Sequence, residues 1–523
     1  MASSPRYVTV NGKPFFILGG QVHNSSAYTK ARMAPLWDTL VRMHTNTAEV
    51  PVYWEQIEPV EGTFDFTIVD DLIAGAREHG LKLILLWFGT WKNGTMKYTP
   101  GWVKLQTERF RRVITPERLP LPVLSPHCQD TLEADKRAVC ALLDHIKQVD
   151  GAERTVIMLQ IENEPGSHGA ERDFSQEGNT LFAAEVPEAF AAVLPTTQPT
   201  FRQIWAENGA RAQGSWQEVF GWKAAEVFSA WSVARYIDEI AEAGKTVYDL
   251  PMYVNVWLGE NGFRVAGYNY PSGGAVSQMI DVWKAAAPHI DLLAPDIYFA
   301  DATQFCQRCE TYSRTDNPLF IPECGRWPAT SRLMFYAIAR YNAIGIAPFG
   351  IDGLIDENGN MIDSCVALVE SFAATRAILP LIPAYQGTGR LHAIVQEEGS
   401  AMQYIELDGY TALVQFGVSW YGRPIPTGGA TETTRGRGLL IQAGPKEFYV
   451  TGVGFTVYIR PTTGFYRFLQ KELWQGRFDP WLLVEAGHFE DEQWVIDERR
   501  SGDETDFGLI MVTPGQAVHA MFD

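Results

Sequence analysis

The sequence predicts a (β/α)₈ TIM barrel, an α/β fold, followed by a smaller all-β C-terminal domain. Strand-like apolar runs alternate with helical patterns through about the first 375 residues, and helical periodicity nearly disappears after that point. In addition, two of the runs end in a glutamate. The change of pattern near Leu379 predicts a barrel domain over residues 1–378 and a β domain over residues 379–523.

Eight apolar runs have the length and composition of barrel strands. Eight alternating strand and helix units predict a closed barrel, whose functional residues stand at the carboxyl ends of the strands. The runs cover residues 15–18, 46–52, 83–87, 156–161, 252–256, 290–294, 319–322 and 344–349.

Three helical segments between these runs are the clearest. Residues 276–283 carry apolar side chains at i, i+3, i+4 and i+7, and residues 227–237 carry a second apolar stripe. A third helix is predicted to open at Thr67, with Asp70 as its capping-box partner, and to stop at Gly80.

The stretch 167–215 is too long for a simple connection between the fourth strand and its helix. One interpretation is a lid or a subsite wall. The alternative is an excursion that packs on the barrel or lies at a subunit contact.

After residue 379, short apolar runs separated by Gly, Pro and Asp turns predict the all-β domain. These runs cover residues 410–420, 438–442, 448–450, 455–459 and 481–484.

Composition limits the classes of partner. The 523 residues include 46% hydrophobic and 12% aromatic residues, which is typical of globular domains with well-filled cores. Lys and Arg number 43 against 62 Asp and Glu, a net charge of −19, which disfavours nucleic acid and anionic membrane surfaces. A neutral small-molecule substrate is expected, and a homo-oligomer is compatible with the sequence.

The cellular location is predicted from the lack of apolar segments and from the cysteines. No stretch approaches the length of a membrane helix and no apolar export signal opens the chain, so a cytoplasmic protein is expected, although a trimmed secreted or periplasmic form would look the same. Six cysteines do not make a disulfide framework in a chain of this size. Cys306 and Cys309 suggest zinc, but no second ligand pair stands at the right spacing, and no metal is expected.

Glu164 and Glu323 are the most informative residues. Glu164 follows the strand-like run Val156-Ile157-Met158-Leu159 in the motif Gln-Ile-Glu-Asn-Glu-Pro, and Glu323 ends the seventh run. Two carboxylates at the carboxyl ends of different barrel strands are the minimum equipment for cutting a glycosidic bond. The alternative for a single glutamate in such a place is a salt-bridged or helix-capping residue.

Four segments resemble the retaining β-galactosidases of glycoside hydrolase family thirty-five, within the clan of (β/α)₈ glycosidases. They are residues 10–23 with their Gly-x-x-His turn, residues 46–66 with Trp-Glu-Gln-Ile-Glu-Pro, residues 160–164, and Glu323. The β domain, with its segment 447–455, is similar to that of a bacterial-type subgroup and has no assigned function.

The resemblance implies roles for four residues. Glu164 would be the general acid/base and Glu323 the nucleophile. Asn163 would hold the 2-hydroxyl of the sugar, and Tyr298 would hydrogen-bond the nucleophile. For Tyr298, core packing is the alternative.

Two departures from the family concern the sugar pocket. Pro51 stands where the family commonly has Tyr, and residues 87–93 replace its Ala-Glu-Trp segment. The favoured function is an exo-acting β-galactosidase that releases terminal galactose. A β-glucosidase, or a transglycosylase acting on another β-linked sugar, is the alternative, and a non-catalytic carbohydrate-binding barrel is the reading outside enzymes.

Further candidate binding residues lie near the predicted strand ends. Tryptophan faces can stack on a pyranose ring, with core packing as the equal alternative, and polar side chains can fix hydroxyl groups. These candidates are Trp54, Trp91, Trp257 and Trp327, together with Lys92, Asn93 and Asn255. No cofactor is expected, because carboxylates supply both the nucleophile and the proton. The pKa of Glu164 should be raised by the nearby charge of Glu323, which gives a bell-shaped pH profile.

Overall fold

The predicted barrel is confirmed. The computed structural model describes residues 7–259, 263–417, 430–462, 481–505 and 508–522. Within these ranges eight parallel strands close into a barrel in chain order, and we call them the first to eighth barrel strands. They are Ile17–Gln21, Thr47–Tyr53, Lys82–Lys92, Val156–Asn163, Met252–Trp257, Leu292–Ile297, Phe320–Cys324 and Gly345–Pro348.

The prediction for the first strand is partly wrong. Residue 15 belongs to Lys13–Phe15, which pairs with Val8–Val10 in a hairpin, and the first barrel strand begins only at Ile17. The hairpin packs Val8 and Val10 against the apolar side chains inside the barrel, such as Phe320. In the sequence, the apolar residues of the hairpin therefore look like the beginning of the first barrel strand. In the structure they close the end of the barrel opposite the carboxyl ends of the strands.

Each barrel strand is followed by a helix on the outside. These eight helices are Lys30–Arg42, Thr67–Glu78, Gln129–Asp150, Ala224–Val247, Ile280–Ala286, Ala302–Tyr312, Pro328–Ala339 and Asp363–Ala377. Shorter helices within the described ranges are Trp54–Ile57, Gly101–Leu105, Gln176–Ala183, Glu188–Val193, Pro199–Glu207, Trp216–Phe220 and Leu381–Tyr385. Single 3₁₀ turns cover Ser26–Tyr28, Leu194–Thr196, Gly221–Lys223, Ile351–Leu354 and Gly502–Glu504.

The helix predicted at Thr67 is present, but its predicted capping box is wrong. Phe66 occupies the N-cap position and makes no side-chain cap. The carboxylate of Asp65 instead accepts a hydrogen bond from the backbone N–H of Thr67 at 2.9 Å. The apolar stripe at 276–283 is buried as predicted, although the helix there starts at Ile280.

The excursion at 167–215 packs on the outside of the barrel. Phe190 and Phe201 of this segment lie against Phe220 and against each other, and Phe190 also stacks on Trp231 of the helix Ala224–Val247. Only the start of the segment is shown in contact with the loops at the strand carboxyl ends within the described residues: the backbone N–H of His168 donates to the carbonyl of Gly94 at 3.0 Å, and the His168 ring meets Trp257 edge to face at 5.1 Å. The packing interpretation therefore describes most of this segment.

The C-terminal part is all-β, as predicted. A six-stranded sheet has the order Leu391–Val395, Arg437–Gly444, Glu447–Val453, Ala517–Phe522, Trp481–Glu490 and Gln493–Arg499. A four-stranded sheet has the order Met402–Leu407, Tyr410–Phe416, Phe455–Pro461 and Leu509–Met511. Residues 418–420 of one predicted run lie outside the described residues. The domain limit at 379 stays a prediction.

The β domain shares a buried core with the barrel. Leu439 and Ile441 of the six-stranded sheet belong to the same apolar cluster as Leu368 and Phe372 of the last barrel helix. The fully buried Arg437 donates hydrogen bonds to Ser371 at 2.8 Å and to Glu370 at 2.6 Å on that helix. None of the helices in the described ranges combines the length and apolar character needed to cross a bilayer. All six cysteines are free thiols.

Candidate active site

A cavity of about 790 Å³ opens at the carboxyl ends of the barrel strands. Its walls contain three carboxylates, Glu164, Asp296 and Glu323, which end the fourth, sixth and seventh strands. Each of the three is less than a tenth exposed, and one oxygen of each lies within 4.8 Å of the others. The two glutamates singled out by the sequence are thus brought together by the barrel.

Four donors hold the carboxylate of Glu323. Gln21 donates to its Oε1 at 3.0 Å and Tyr298 donates to its Oε2 at 2.9 Å. The side-chain amides of Asn163 and Asn255 reach Oε1 at 3.4 Å. These four hydrogen bonds fix the orientation of the Glu323 carboxyl group in the cavity wall.

Glu164 stands in the opposite electrostatic environment. Burial and the charge of Glu323 raise its pKa to about 7, against the smaller lowering effects of Lys92 and of a hydrogen bond with Asp296. Asn93 donates to its Oε2 at 2.6 Å. A carboxyl group with this pKa carries a proton in a large fraction of molecules near neutrality, as a general acid requires.

Asp296 is a third carboxyl group that the sequence analysis did not single out. Burial, followed by the charges of Glu323 and Glu164, raises its pKa well above the usual range. Its Oδ2 accepts a hydrogen bond from Asn255 at 2.8 Å, and it shares a hydrogen bond with Glu164. A protonated Asp296 therefore donates to the Glu164 carboxylate when Glu164 is ionised. Asp296 could have been predicted as a site residue from its position at the end of the sixth strand.

Glu49 is a fourth buried carboxyl group, deeper inside the barrel. It faces the interior from the second strand, level with Gln21, and within the described residues neither of its oxygens has a hydrogen-bond partner. Burial, and then the charge of Glu323, raise its pKa well above the usual range. When Glu49 is neutral, it places no additional negative charge next to Glu323 on the interior side of the barrel.

The loop after the third strand is tied to the end of the fourth. The backbone N–H of Asn93 donates to the carbonyl of Asn163, and that of Gly94 donates to the carbonyl of Glu164, each at 3.0 Å. Glu162 and Glu164 both have left-handed backbones, with φ of 62° and 46°. Such conformations are costly for non-glycine residues and cluster at functional sites, and here they turn the Glu164 carboxyl toward the cavity.

Glu162 supports this loop from behind. Its carboxyl accepts hydrogen bonds from the backbone N–H groups of Thr90 and Trp91, at 3.0 and 2.6 Å. It also pairs with the buried Asp135, which accepts from the indole of Trp87 at 2.8 Å. Burial and the charge of Asp135 raise the pKa of Glu162 well above the usual range, so the two carboxyl groups share a proton.

The predictions that Trp54 and Trp91 contact sugar are wrong. Both side chains are fully buried. Trp54 packs edge to face on Trp102 and donates its indole N–H to Glu58 at 2.9 Å, and Trp91 packs edge to face on Tyr236. These positions are core, because the side chains point away from the barrel opening.

Asn163 and Asn255 are also fully buried, so their predicted contact with sugar hydroxyls is not what the structure shows. The amide oxygen of Asn163 accepts from Lys92 at 2.7 Å, and that of Asn255 accepts from the backbone N–H of Glu164 at 2.8 Å. Both amides also reach Glu323, so in this structure they orient the carboxyl groups, and a contact with a sugar hydroxyl stays a prediction.

The remaining candidates lie at the cleft. Lys92, Asn93, Trp257 and Tyr298 line the cavity, whereas Trp327 lines a neighbouring one. Several wall residues were not predicted from the sequence, although Phe349 ends a predicted strand and could have been found on that ground. The missed residues include Asn24, Leu258, Gln304 and Phe349.

The donor set fits a reaction that needs one ionised and one protonated carboxyl group. Three carboxylates are also the ligand type of a hard cation. An acidic cluster alone does not define such a site, and the Lys92 ammonium group among the cavity walls already lowers the pKa of Glu164.

Two family models match parts of this chain. A glycoside hydrolase family 42 model, described as "Beta-galactosidase", matches residues 28–246, and a model described as "Domain of unknown function (DUF5597)" matches residues 368–511. The expected family thirty-five is thus not supported, since the matching β-galactosidase model is that of family 42. A C-terminal domain without an assigned function agrees with the second match.

Proteins similar to this chain include hydrolases of sugars. A curated "Beta-galactosidase" of Xanthomonas manihotis is 28% identical over 182 residues, covering 33% of this chain and 27% of that relative. The crystal structure of a β-galactosidase from the psychrophilic Marinomonas ef1 is 13% identical and covers 69% of this chain and 60% of its own, with a TM-score of 0.49. The catalytic domain of a Paenibacillus polymyxa β-amylase is 12% identical and covers 68% and 97%, with a TM-score of 0.49. This chain thus spans about a quarter of the length of the curated relative it matches.

Proposed function

We propose that the protein is a retaining, exo-acting glycoside hydrolase that releases terminal β-linked galactose from oligosaccharides. The observation that carries the proposal is the pair Glu164 and Glu323, of which one carboxyl oxygen of each lies within 4.8 Å of the other. Retaining enzymes place their two carboxyl groups about 5–5.5 Å apart and inverting enzymes about 6.5–9.5 Å apart. The match of residues 28–246 to a β-galactosidase family model supports galactose as the sugar.

The first step breaks the glycosidic bond. A carboxylate oxygen of Glu323 bonds to the anomeric carbon while the leaving oxygen takes the proton of Glu164. Tyr298 and Gln21 orient Glu323 for this attack through their hydrogen bonds.

The second step releases the sugar. The Glu164 carboxylate takes a proton from a water molecule, whose oxygen bonds to the anomeric carbon and displaces Glu323. A sugar hydroxyl in place of water would give a transfer product. The two glutamates serve either outcome.

A panel of p-nitrophenyl glycosides tests the sugar. Initial rates on the β-galactoside, β-glucoside, β-xyloside, β-fucoside and α-galactoside should be highest for the β-galactoside. A preference for another β-sugar would keep the two-glutamate chemistry and replace the substrate. A lack of turnover on every β-glycoside would overturn the proposal in favour of a binding protein.

Substitution of the two glutamates tests the chemistry. Glu164→Gln and Glu323→Gln are nearly isosteric, and each should lower kcat by at least about 10³-fold while leaving the melting temperature nearly unchanged. Glu188→Gln is the matched control, because Glu188 is exposed on a short helix of the 167–215 excursion. Turnover of both site variants at the rate of the control would contradict the assignment.

A further inference from the structure

A second cavity, of about 410 Å³, adjoins the first. The two share Tyr298 and Phe349 as walls, so together they form one longer cleft. The second cavity lies within the size range of small-molecule sites. The two-step reaction described above does not use it.

The second cavity lies on the nucleophile's side of the cleft. Its lining comes from the segments after the first, sixth, seventh and eighth strands, including His23, Arg326 and Trp327. None of its described lining residues belongs to the segments after the third and fourth strands, which carry Asn93 and Glu164. The leaving group takes the proton of the Glu164 carboxyl group and must therefore lie beside Glu164. The second cavity lies on the other side of the cleft, so it extends from the sugar that bonds to Glu323.

The walls of this cavity suit a sugar ring. Trp327 is 40% exposed, a large value for a tryptophan beside a cavity, and it meets Tyr298 edge to face at 6.0 Å between ring centroids. Exposed aromatic faces of this kind stack on the apolar side of pyranose rings. No described residue covers the exposed part of the Trp327 ring, which leaves that part available to a ligand.

Arg326 gives the same cavity a positive charge. Within the described part of the chain, its guanidinium group has no carboxylate within 4.0 Å and no hydrogen-bond partner, although acidic residues outnumber basic ones by 62 to 43. The group lies against Gly353, where a Cβ atom would stand 2.1 Å from Nη1. The φ of Gly353 is −92°, which any residue can adopt, so the close contact comes from the position of the guanidinium group directly over this glycine and not from backbone strain.

We propose that the second cavity is a subsite for an anionic sugar on the glycone side of the scissile bond. Arg326 pairs with the carboxylate or sulfate of that sugar, and Trp327 stacks on its ring. A guanidinium group binds planar oxyanions through two parallel hydrogen bonds, which suits this role. The inference rests on the proposed function for the orientation of the cleft, and it changes that function in one respect: the unit released from the chain end is a galactose that carries an anionic sugar or a sulfate, in place of an unsubstituted neutral galactose.

Binding to the full-length protein tests the subsite without turnover. Calorimetry would compare β-glucuronosyl-(1→6)-galactose with β-glucosyl-(1→6)-galactose, and galactose 6-sulfate with galactose. At least one anionic ligand should bind roughly tenfold more tightly than its neutral partner, and which pair shows the preference distinguishes a carboxylate from a sulfate. Equal affinities within both pairs would overturn the proposal.

Two variants and the salt dependence locate the charge responsible. Arg326→Gln should abolish the preference, whereas Arg340→Gln, an equal charge change at an exposed residue on the helix that follows, should keep it. A preference that survives Arg326→Gln would overturn the proposal. If that variant does not fold, the wild-type preference should still shrink between 0.05 and 0.5 M NaCl, and a salt-independent preference would overturn the proposal.

Hydrolysis is measured separately. An anion preference without cleavage of any β-galactoside keeps the subsite and contradicts the proposed function. Cleavage of β-galactosides without an anion preference would support the proposed function and contradict the subsite.

Discussion

At the scale of single residues, two glutamates of one cavity have different environments. Glu323 receives four hydrogen bonds, whereas Glu164 is buried beside Glu323, receives one hydrogen bond from Asn93 and shares one with Asp296. The raised pKa of Glu164 suits the acid, and the four donors that hold Glu323 in place suit the nucleophile. Hence the chemistry depends on the neighbours of each glutamate as much as on the glutamates.

The pH dependence of turnover follows from Glu164. Its pKa of about 7 is raised above the ordinary value, so the proton needed for the first step is present below pH 7 and lost above it. We expect kcat/KM for the β-galactoside to fall about tenfold per pH unit on the alkaline side, with a midpoint near pH 7. An alkaline limb that starts only above pH 9 would contradict this assignment.

Asp296 should set the position of that limb. Its hydrogen bond lowers the pKa of Glu164, so Asp296→Ala should move the alkaline limb upward by roughly one pH unit. Asp296→Asn keeps a donor facing Glu164 and serves as the control, with the limb near its wild-type position. A pH profile of kcat/KM for the three proteins decides the matter, and a limb that moves downward in Asp296→Ala would count against the role.

At the scale of elements, the junction between the third and fourth strands fixes the acid. Backbone hydrogen bonds join Asn93 and Gly94 to Asn163 and Glu164, and the proton-sharing pair of Glu162 and Asp135 holds the loop from outside. Both carboxyl groups of that pair have a raised pKa, chiefly through burial.

The pair should give stability a measurable pH dependence. Because the folded protein keeps a proton that the unfolded chain releases above its ordinary pKa of about 4.3, this stabilisation is present at low pH and declines as pH rises toward the folded pKa. Glu162→Gln should reduce the decline to the part contributed by Asp135, after an initial loss of about 1–2 kcal/mol for one unpaired backbone N–H group. Urea denaturation between pH 5 and 8 would show the free energies of unfolding of the two proteins converging as pH rises.

Parallel curves for the wild type and Glu162→Gln across that range would contradict the shared proton. Glu188→Gln again provides the control, since its exposed side chain should leave the curve unchanged.

The positions of the strand ends could be predicted from the sequence, but the directions of the side chains could not. Apolar runs ending in Glu164 and Glu323 placed both acids on one rim, because parallel barrel strands end on the same face. Trp91 lies within a shift of register between residues 87 and 92 of the third strand, so the alternation of side chains along the strand could not distinguish core from cavity. Glu49 was hidden for another reason, since a buried carboxyl inside a barrel strand runs against the apolar pattern.

At the scale of the whole molecule, the β domain is held against the barrel by both apolar and polar contacts. Arg437 is fully buried and donates to the carbonyl of Ala367, to Ser371 and to Glu370 on the last barrel helix, and Thr451 donates to the carbonyl of Ala374 at 2.9 Å. The two parts therefore present a continuous core, and we expect them to unfold together.

Removal of the buried guanidinium tests this connection. Arg437→Met leaves Glu370 and two buried acceptors without their donor, and should cost about 3 kcal/mol in the free energy of unfolding. Arg499→Met, at an exposed position of the same sheet, is the control. Calorimetry should show one transition at a lower temperature for Arg437→Met, and two separate transitions in the wild type would contradict a shared core.

The most direct measurement is the capture of the covalent intermediate. A 2-deoxy-2-fluoro-β-galactosyl fluoride slows both steps but leaves a good leaving group, so a retaining enzyme accumulates its glycosyl ester. Mass spectrometry of the treated protein should show one added fluorogalactosyl group, located on Glu323 after proteolysis and absent from Glu323→Gln. An active protein that acquires no label, or acquires it on another residue, would contradict the assignment of Glu323 as the nucleophile.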